Sequence, residues 1–347
     1  MFPTVLDIRD GHVPYISSAT FSPQSSLSTG DVVIADTAED YTAGKALEVV
    51  ISEGIKAVPG LHTIACHPKI SFASGFLGYY FNSSAYKERL RPLIQGIKVY
   101  SISKGSLATT SISFPLRDEQ YKIGLFLSII DRRIAVQNKI IEDLERLRKF
   151  INDAFFESLK TKAIFRTLYK IASEGGTPDT NLKEYYVPAE IPFIKIEDLF
   201  SKYLIQNSNY ISALGIEHSS AWLVPKGSIL LSNGATIGEC AITTYPLCTK
   251  QGILGIVPSD STDSEFLYYL FKSTTFKKQL QRITTKGTMD AAYLKDMDRI
   301  QIPFCDKTRQ EQHVKTLVPL ERKIVLEQSL LQNLIALKRF LLAKMFI

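Results

Sequence analysis

GFLGYYFNSSAYKERL, residues 75–90, and EFLYYLFKSTTFKKQL, residues 265–280, are two versions of one stretch. Phe76, Leu77, Tyr79, Phe81, Ser83, Lys87 and Leu90 match Phe266, Leu267, Tyr269, Phe271, Ser273, Lys277 and Leu280 at a constant offset of 190. The match continues downstream. ISFPLRDEQ (112–120) resembles IQIPFCDKTRQ (300–310), and IDRRIAVQNKIIEDLERLRKF (130–150) resembles LERKIVLEQSLLQNLIALKRF (320–340). A period this long marks a duplicated domain rather than a solenoid of small repeats. Each copy reads as a mixed, strand-rich domain followed by a long helix.

The two helices carry the clearest periodicity. In the first, Ile123, Leu127, Ile130, Ile134, Ile141, Leu144 and Ile151 recur at steps of three, four or seven. In the second, Leu317, Leu320, Ile324, Leu331, Leu334 and Leu341 do the same. Heptad spacing makes an apolar seam for a partner helix. An amphipathic helix lying on its own domain would show one such stripe. Two matched stripes placed after matched domains favour antiparallel pairing with each other. Gln137 and Glu327 interrupt the seam at equivalent positions, where a polar residue fixes register. The expected class is α+β, divided as 1–115 (first domain), 116–160 (first helix), 161–304 (second domain) and 305–347 (second helix).

Elsewhere the second copy alternates strands and turns. IPFIKIEDL (191–199) reads as a strand entering a turn, and QGILGIVP (251–258) as a short apolar strand. GSILLSNGATIGECAITT (227–244) reads as two strands about an Asn233-Gly234 turn. Residues 264–283 read as one helix with an aromatic inner face.

The chain has 347 residues, 45% of them hydrophobic and 22% charged, enough for packed cores. A formal charge of +6 permits a polyanionic partner without requiring one. Cys66, Cys240, Cys248 and Cys305 form no Cys-x-x-Cys pair and have no spaced histidine partner, so neither a zinc site nor a disulfide framework is expected. No signal-peptide pattern or long apolar span is present, and the expected location is the cytoplasm. No phosphate-binding loop, H-E-x-x-H, adenine-methylation box or G-x-S-x-G elbow is found. GATIG (234–238) puts Thr236 at the nucleophile place but suits a turn better.

KGSILLSNGATIGECAITTYPLCTKQGILGIVP (226–258), followed by FLYYLFKS, KGTMDAAYLKDMDRIQIPF and a heptad helix, resembles the specificity subunit of type I restriction–modification systems. GDVVIADTAEDYTAGKALEV (30–49), GIKVYSISKGSLATTSISFP (96–115) and the helix after them resemble the same family independently. The likeness covers nearly the whole chain.

The resemblance implies two target-recognition domains, each reading half of a split, asymmetric sequence of double-stranded DNA. The paired helices would act as a spacer. A helix of ~30 residues rises ~45 Å, enough to set two heads about one DNA turn apart. By the same resemblance the chain is no enzyme itself and binds no cofactor. It would dock two adenine-methyltransferase subunits using S-adenosylmethionine, and endonuclease-translocase subunits using ATP and Mg. The alternative is a degenerate scaffold that binds protein partners without reading DNA.

Bases are read by hydrogen-bonding side chains and phosphates are met by cations and N–H groups. The candidates are Ser232, Asn233, Thr236, Lys250, Gln251, Lys286 and Thr288 in the second domain, and Lys69, Lys98, Ser103 and Lys104 in the first. Each also has a plainer reading, Asn233 as a turn residue and the lysines as solvated surface. Gly96 and Gly287 read as backbone-geometry positions. The first domain has only 29 residues before Gly30, whereas the lead-in to Gly227 starts near Lys162. By repeat logic the first head is shortened.

Overall fold

The structure is a computed structural model and describes residues 4–8, 13–17, 26–39, 42–234, 236–285 and 290–346. It divides into two compact units, residues 1–141 with 327–347, and residues 142–326.

The first unit contains β1 (Val5–Asp7), β2 (Val32–Ala35), β3 (Thr37–Ala38), β4 (Ala46–Val50), β5 (Thr63–Cys66), α1 (Phe76–Asn82), α2 (Ser84–Leu90), β6 (Tyr100–Ser101), α3 (Lys104–Ala108) and the start of α4 (Arg117–Ser158). Its main sheet has the order β1-β4-β2-β5, with β1 parallel to β4 and the other pairs antiparallel.

The second unit holds the end of α4, then β7 (Lys162–Ile164), β8 (Tyr169–Glu174), β9 (Ile191–Ile194), β10 (Tyr203–Leu204), β11 (Tyr210–Ile211) and α5 (Ala213–Glu217). After these come β12 (Ile229–Ser232), β13 (Cys240–Thr243), β14 (Cys248–Thr249), β15 (Ile253–Pro258), α6 (Ser264–Lys272), α7 (Thr274–Ile283), α8 (Leu294–Met297), β16 (Gln301–Pro303) and the start of α9 (Lys307–Lys344). Its main sheet is β10-β13-β12-β15-β8. Pairing sense and order match β10 to β1, β13 to β4, β12 to β2 and β15 to β5. The fifth strand, β8, has no counterpart among the described residues of the first unit.

The matched helices show why the repeat keeps a serine. The expected single helix over 264–283 is two helices, broken at Ser273. That residue is extended (φ −70°, ψ 148°), and its hydroxyl accepts the Phe276 N–H at 3.2 Å. Ser83 does the same for Tyr86 at 3.2 Å. Both are N-caps, satisfying N–H groups that the first turn of a helix leaves unpaired.

The expected Asn233-Gly234 hairpin turn is also corrected. The connection between β12 and β13 is longer, closed by Ser232 N–H to Glu239 O (2.8 Å) and Gly238 N–H to Ser232 O (3.0 Å). The positive φ falls on Gly238, at 97°, not on Gly234.

The long helices pair antiparallel in both units. In the first, Asp131 and Gln137 of α4 meet Lys338 and Glu327 of α9. In the second, Arg148 and Asn152 meet Glu321 and His313. Partner positions fall along α9 as they climb along α4. Gln137 and Glu327 are each other's counterparts in the repeat, so this buried bond joins a position to its own copy.

Ile130, Ile134, Ile141 and Ile324 are buried as expected, and Leu144, Leu320, Leu331, Leu334 and Leu341 are half-buried. Three residues read as seam belong to globular cores instead, and Leu341 and Ile151 pack against those cores. Ile123 and Leu127 pack with Phe76, Leu77 and Tyr80, and Leu317 packs with Phe266 and Phe156. The helix ends do likewise. Phe156, at the end of α4, fills the core of the second unit, and its repeat counterpart Phe346, two residues past α9, fills that of the first. Full burial of one such side chain stabilises by roughly 1.5–3 kcal/mol, so each domain is fastened to both helices.

Candidate nucleic-acid interface

A polar network holds each domain on its helices. In the second unit the Lys202 ammonium donates to Glu265 (3.0 Å), Glu321 (2.9 Å) and the Tyr269 hydroxyl (2.9 Å), and sits over the Tyr269 ring at 4.3 Å. In the first, Asp131 pairs with Lys338 at 2.5 Å and accepts from the hydroxyls of Tyr79 (2.8 Å) and Thr4 (3.1 Å). Tyr79 and Asp131 are the repeat counterparts of Tyr269 and Glu321, and Lys338 that of Arg148, which approaches Glu321 at 3.8 Å. Burial and the neighbouring carboxylates push both tyrosine hydroxyls far above the usual phenol range. They stay protonated and serve as fixed donors. Residue types alone do not pick out this network, but the repeat alignment keeps the tyrosine, the acid and the base.

The loops between strands form a cleft of about 1010 Å³ in the second unit. Four sequence candidates line it: Asn233, Thr236, Lys250 and Gln251, with Phe200, Tyr293 and the carboxylates Glu174, Glu197, Glu239 and Asp290. Thr236, Lys250 and Gln251 are exposed. Two of the carboxylates are engaged, Glu239 by Lys272 at 2.8 Å and Glu174 by the Gly252 N–H at 2.8 Å.

Ser232 and Asn233 have framework positions. Ser232 is fully buried. Its hydroxyl donates to Thr236 O and accepts from Glu239 N–H at 2.9 Å, closing the loop. Asn233 is buried too. Its N–H donates to Gly252 O (2.9 Å), its carbonyl accepts Ala292 N–H (2.9 Å), and its amide nitrogen donates to Ala292 O (3.3 Å). The Ser232 hydroxyl is thus used up within the loop, whereas Asn233 lines the cleft with its amide nitrogen tied to Ala292. Lys286, Gly287 and Thr288 lie outside the described residues.

In the first unit Lys69, Lys98, Ser103 and Lys104 are all exposed. The Ser103 hydroxyl caps α3 by accepting the Ser106 N–H at 2.9 Å. Lys98 lies in a loop pinched at its root by a two-bond bridge between Gln95 and Ser101. Thr285 and Ala291 form the same bridge in the second unit, at the repeat offset. The residue after each bridge donates its N–H to the residue that follows the matched central strand: Ile102 to Asp36 O at 2.8 Å, and Ala292 to Asn233 O. The side-chain Oδ1 atoms of Asp36 and Asn233 are both buried without a hydrogen-bond partner among the described residues. Sequence periodicity cannot reveal these bridges, since they pair short segments outside any regular strand.

Among the described residues no group of three or more His, Cys, Asp or Glu is placed to hold a metal ion, and no helix is long and apolar enough to cross a membrane. Burial pushes the Cys240 and Cys248 thiols up to about 12 and Cys305 to about 11, so all three are neutral packing groups.

Two duplicated α+β heads, each presenting loops and each held by both of two antiparallel helices, define a paired-head recognition protein. The family model for the type I restriction modification DNA specificity domain matches residues 5–146 and 166–336, and the chain belongs to that family. The MjaIX specificity subunit of Methanocaldococcus jannaschii is 35% identical over 140 residues, 40% of this chain and 32% of that one. The HindI specificity subunit of Haemophilus influenzae is 35% identical over 115 residues, 33% of this chain and 25% of that one. The matched segments thus span a third or less of these curated relatives. Among solved structures, a chain from a study of type I R-M complex assembly has a TM-score of 0.64 at 17% identity, covering 92% of this chain and 83% of that one. The S subunit from M. genitalium has a TM-score of 0.56 at 15% identity, covering 99% and 88%. These two likenesses concern the fold.

Proposed function

We propose that the chain is the DNA-reading subunit of a type I restriction–modification complex. Each unit reads one half of a split, asymmetric site in double-stranded DNA. The observation that carries this reading is one frame used twice with different loops. Strand order, helix caps and loop bridges are duplicated, while the loop residues between them differ. Two such heads suit two different half-sites, and the antiparallel helices suit a spacer that sets the gap between them.

Lys69, Lys98, Lys104 and Lys250 would meet phosphates, and Thr236 and Gln251 would meet base edges. The carboxylates of the cleft are unsuited to phosphate but accept hydrogen bonds from a cytosine amino group.

The helices carry matched exposed apolar residues, Val136, Leu147 and Phe150 on α4 and Leu326, Leu337 and Phe340 on α9, each pair at offset 190. Duplicate faces fit two copies of one partner, and methyltransferase subunits are the partner proposed. Chemistry would reside in the partners: S-adenosylmethionine in the methyltransferase, ATP and Mg in endonuclease-translocase subunits. The setting of such a complex is the cytoplasm.

The test is genome-wide adenine methylation in cells co-expressing this chain with its methyltransferase subunit. A split, asymmetric motif with a fixed gap is expected. A stable complex that adds no methylation overturns the reading and favours a degenerate scaffold.

A further inference from the structure

Ile97 is 93% exposed and Val99, two residues on, 52% exposed, with Lys98 between them. Aliphatic side chains at a loop tip gain nothing from packing in the isolated chain. The loop that carries them is nevertheless built to hold one shape. Its root is closed by Gln95 N–H to Ser101 O at 2.9 Å and Ser101 N–H to Gln95 O at 2.7 Å. Gly96 has φ 127°, and a Cβ added there would stand 1.8 Å from Val99 O, so only glycine permits the turn. Beyond the root, Ile102 is buried and tied to the residue that follows β2. A tip held this way loses little freedom when it binds, which favours affinity.

The same root recurs at Thr285 and Ala291, with bonds of 2.9 and 3.2 Å. Between the roots the two sequences differ: GIKVY in the first copy, KGTMD in the second. The frame has been kept and the tip changed.

We propose that the Gln95–Ser101 loop is the element of the first unit that enters a DNA groove, with Ile97 set against the bases and Lys98 against a phosphate. This rests on the DNA-reading assignment above and names the residues that carry it. An exposed aliphatic side chain can contact a thymine methyl group or wedge between base steps. An adjacent ammonium supplies the phosphate contact that fixes register. Two aliphatic side chains are too small an apolar area for a stable protein interface, which buries ~800 Å² per partner. Beside a lysine they suit a groove.

The test again reads adenine methylation with the methyltransferase subunit co-expressed, for the wild type and for Ile97→Ser and Lys98→Ala. Both side chains are exposed, so the melting temperature should match the wild type. For Ile97→Ser, one half of the motif should lose selectivity at one or two positions, by about 5- to 150-fold, the range of a single mismatched base pair. The other half and the gap should be unchanged. For Lys98→Ala the motif should be kept, with occupancy lowered alike at all sites and the salt slope of binding reduced by about one. An unchanged motif and occupancy in Ile97→Ser, with a split motif in the wild type, overturns the loop assignment and leaves DNA reading intact. Absence of a split motif in the wild type overturns both.

Discussion

β2 and β12 are the same strand in two settings. Each is second from one edge of its shared four-strand order, flanked by matched partners and backed by matched helices. Yet β12 is buried at every position, while β2 alternates buried and half-buried residues. The second unit covers both faces of its sheet. Ile229 and Leu231 enter the helix-side core, and Leu230 enters a second core with Ile194, Leu199, Leu204 and Val224 from the lead-in. In the first unit Val32 and Ile34 join the helix-side core, and Val33 is half-buried. A sheet covered on two faces reads as a continuous apolar run. That is why residues 227–243 carry so little charge. The comparison teaches that the four-strand frame with its helices is common to both units, and that in the second unit Ile194, Leu199 and Val224 close the other face of that frame.

The largest test of this contrast is Leu230→Ala against Val33→Ala. The first should cost about 3–5 kcal/mol through a cavity in a closed core, the second about 1 kcal/mol or less. Urea unfolding of each variant, with hydrogen exchange to identify the unit affected, measures the difference. Equal costs would mean that the first sheet is covered as fully as the second.

The second contrast lies in the ion networks. Lys202→Met leaves Glu265 and Glu321 without their ammonium partner and should cost about 3 kcal/mol. By the match of β10 to β1, the place of Lys202 is taken in the first unit by Thr4, which donates to Asp131. Its own network should respond to Asp131→Asn by a similar amount, read by the same unfolding experiment.

His313 gives a pH-dependent contrast, because its repeat counterpart is Ile123. Burial between Phe155, Phe156 and Tyr269 lowers its pKa to about 4. The unfolded chain binds this proton near pH 6.5 and the folded unit only near 4, so stability falls as the pH drops between these values. The loss reaches at most about 3 kcal/mol. His313→Ile should flatten that part of the stability–pH curve, and an unchanged slope would assign the acid sensitivity to other groups.

The smallest effect should be a matched pair. Ser83→Ala and Ser273→Ala each remove an N-cap and should each cost about 1 kcal/mol, measured as a fall in Tm. Unequal values would show that the caps differ in context despite equal geometry.

Much of this was legible in the residues. The offset of 190 exposes the duplication, the heptad steps place both long helices, and the family pattern follows from the order of parts. Of the candidate site residues, Thr236, Lys250 and Gln251 share one cleft and Lys98 stands on a pinched loop. The sequence also pointed to Asn233, which lines the same cleft while its amide ties to Ala292, and to Ser232, whose hydroxyl closes a loop. Polar type marks the capacity to hydrogen-bond, and only packing decides whether the partner lies inside or outside the unit.

What the sequence by itself determined is therefore whatever repeats or has a period: two copies, two helices, one antiparallel seam. Local spacing repeats every few residues and needs no distant partner to be read. The tertiary structure decided the rest. It took Ile123, Leu127 and Leu317 from the seam into the cores, broke the 264–283 helix at Ser273, buried Lys202 among carboxylates, and set Ile97 on a closed root. The core placements and the Lys202 network depend on contacts between residues far apart in the chain, which exist only once the chain has packed; the break at Ser273 and the root under Ile97 are short-range hydrogen bonds that hydrophobic periodicity does not register.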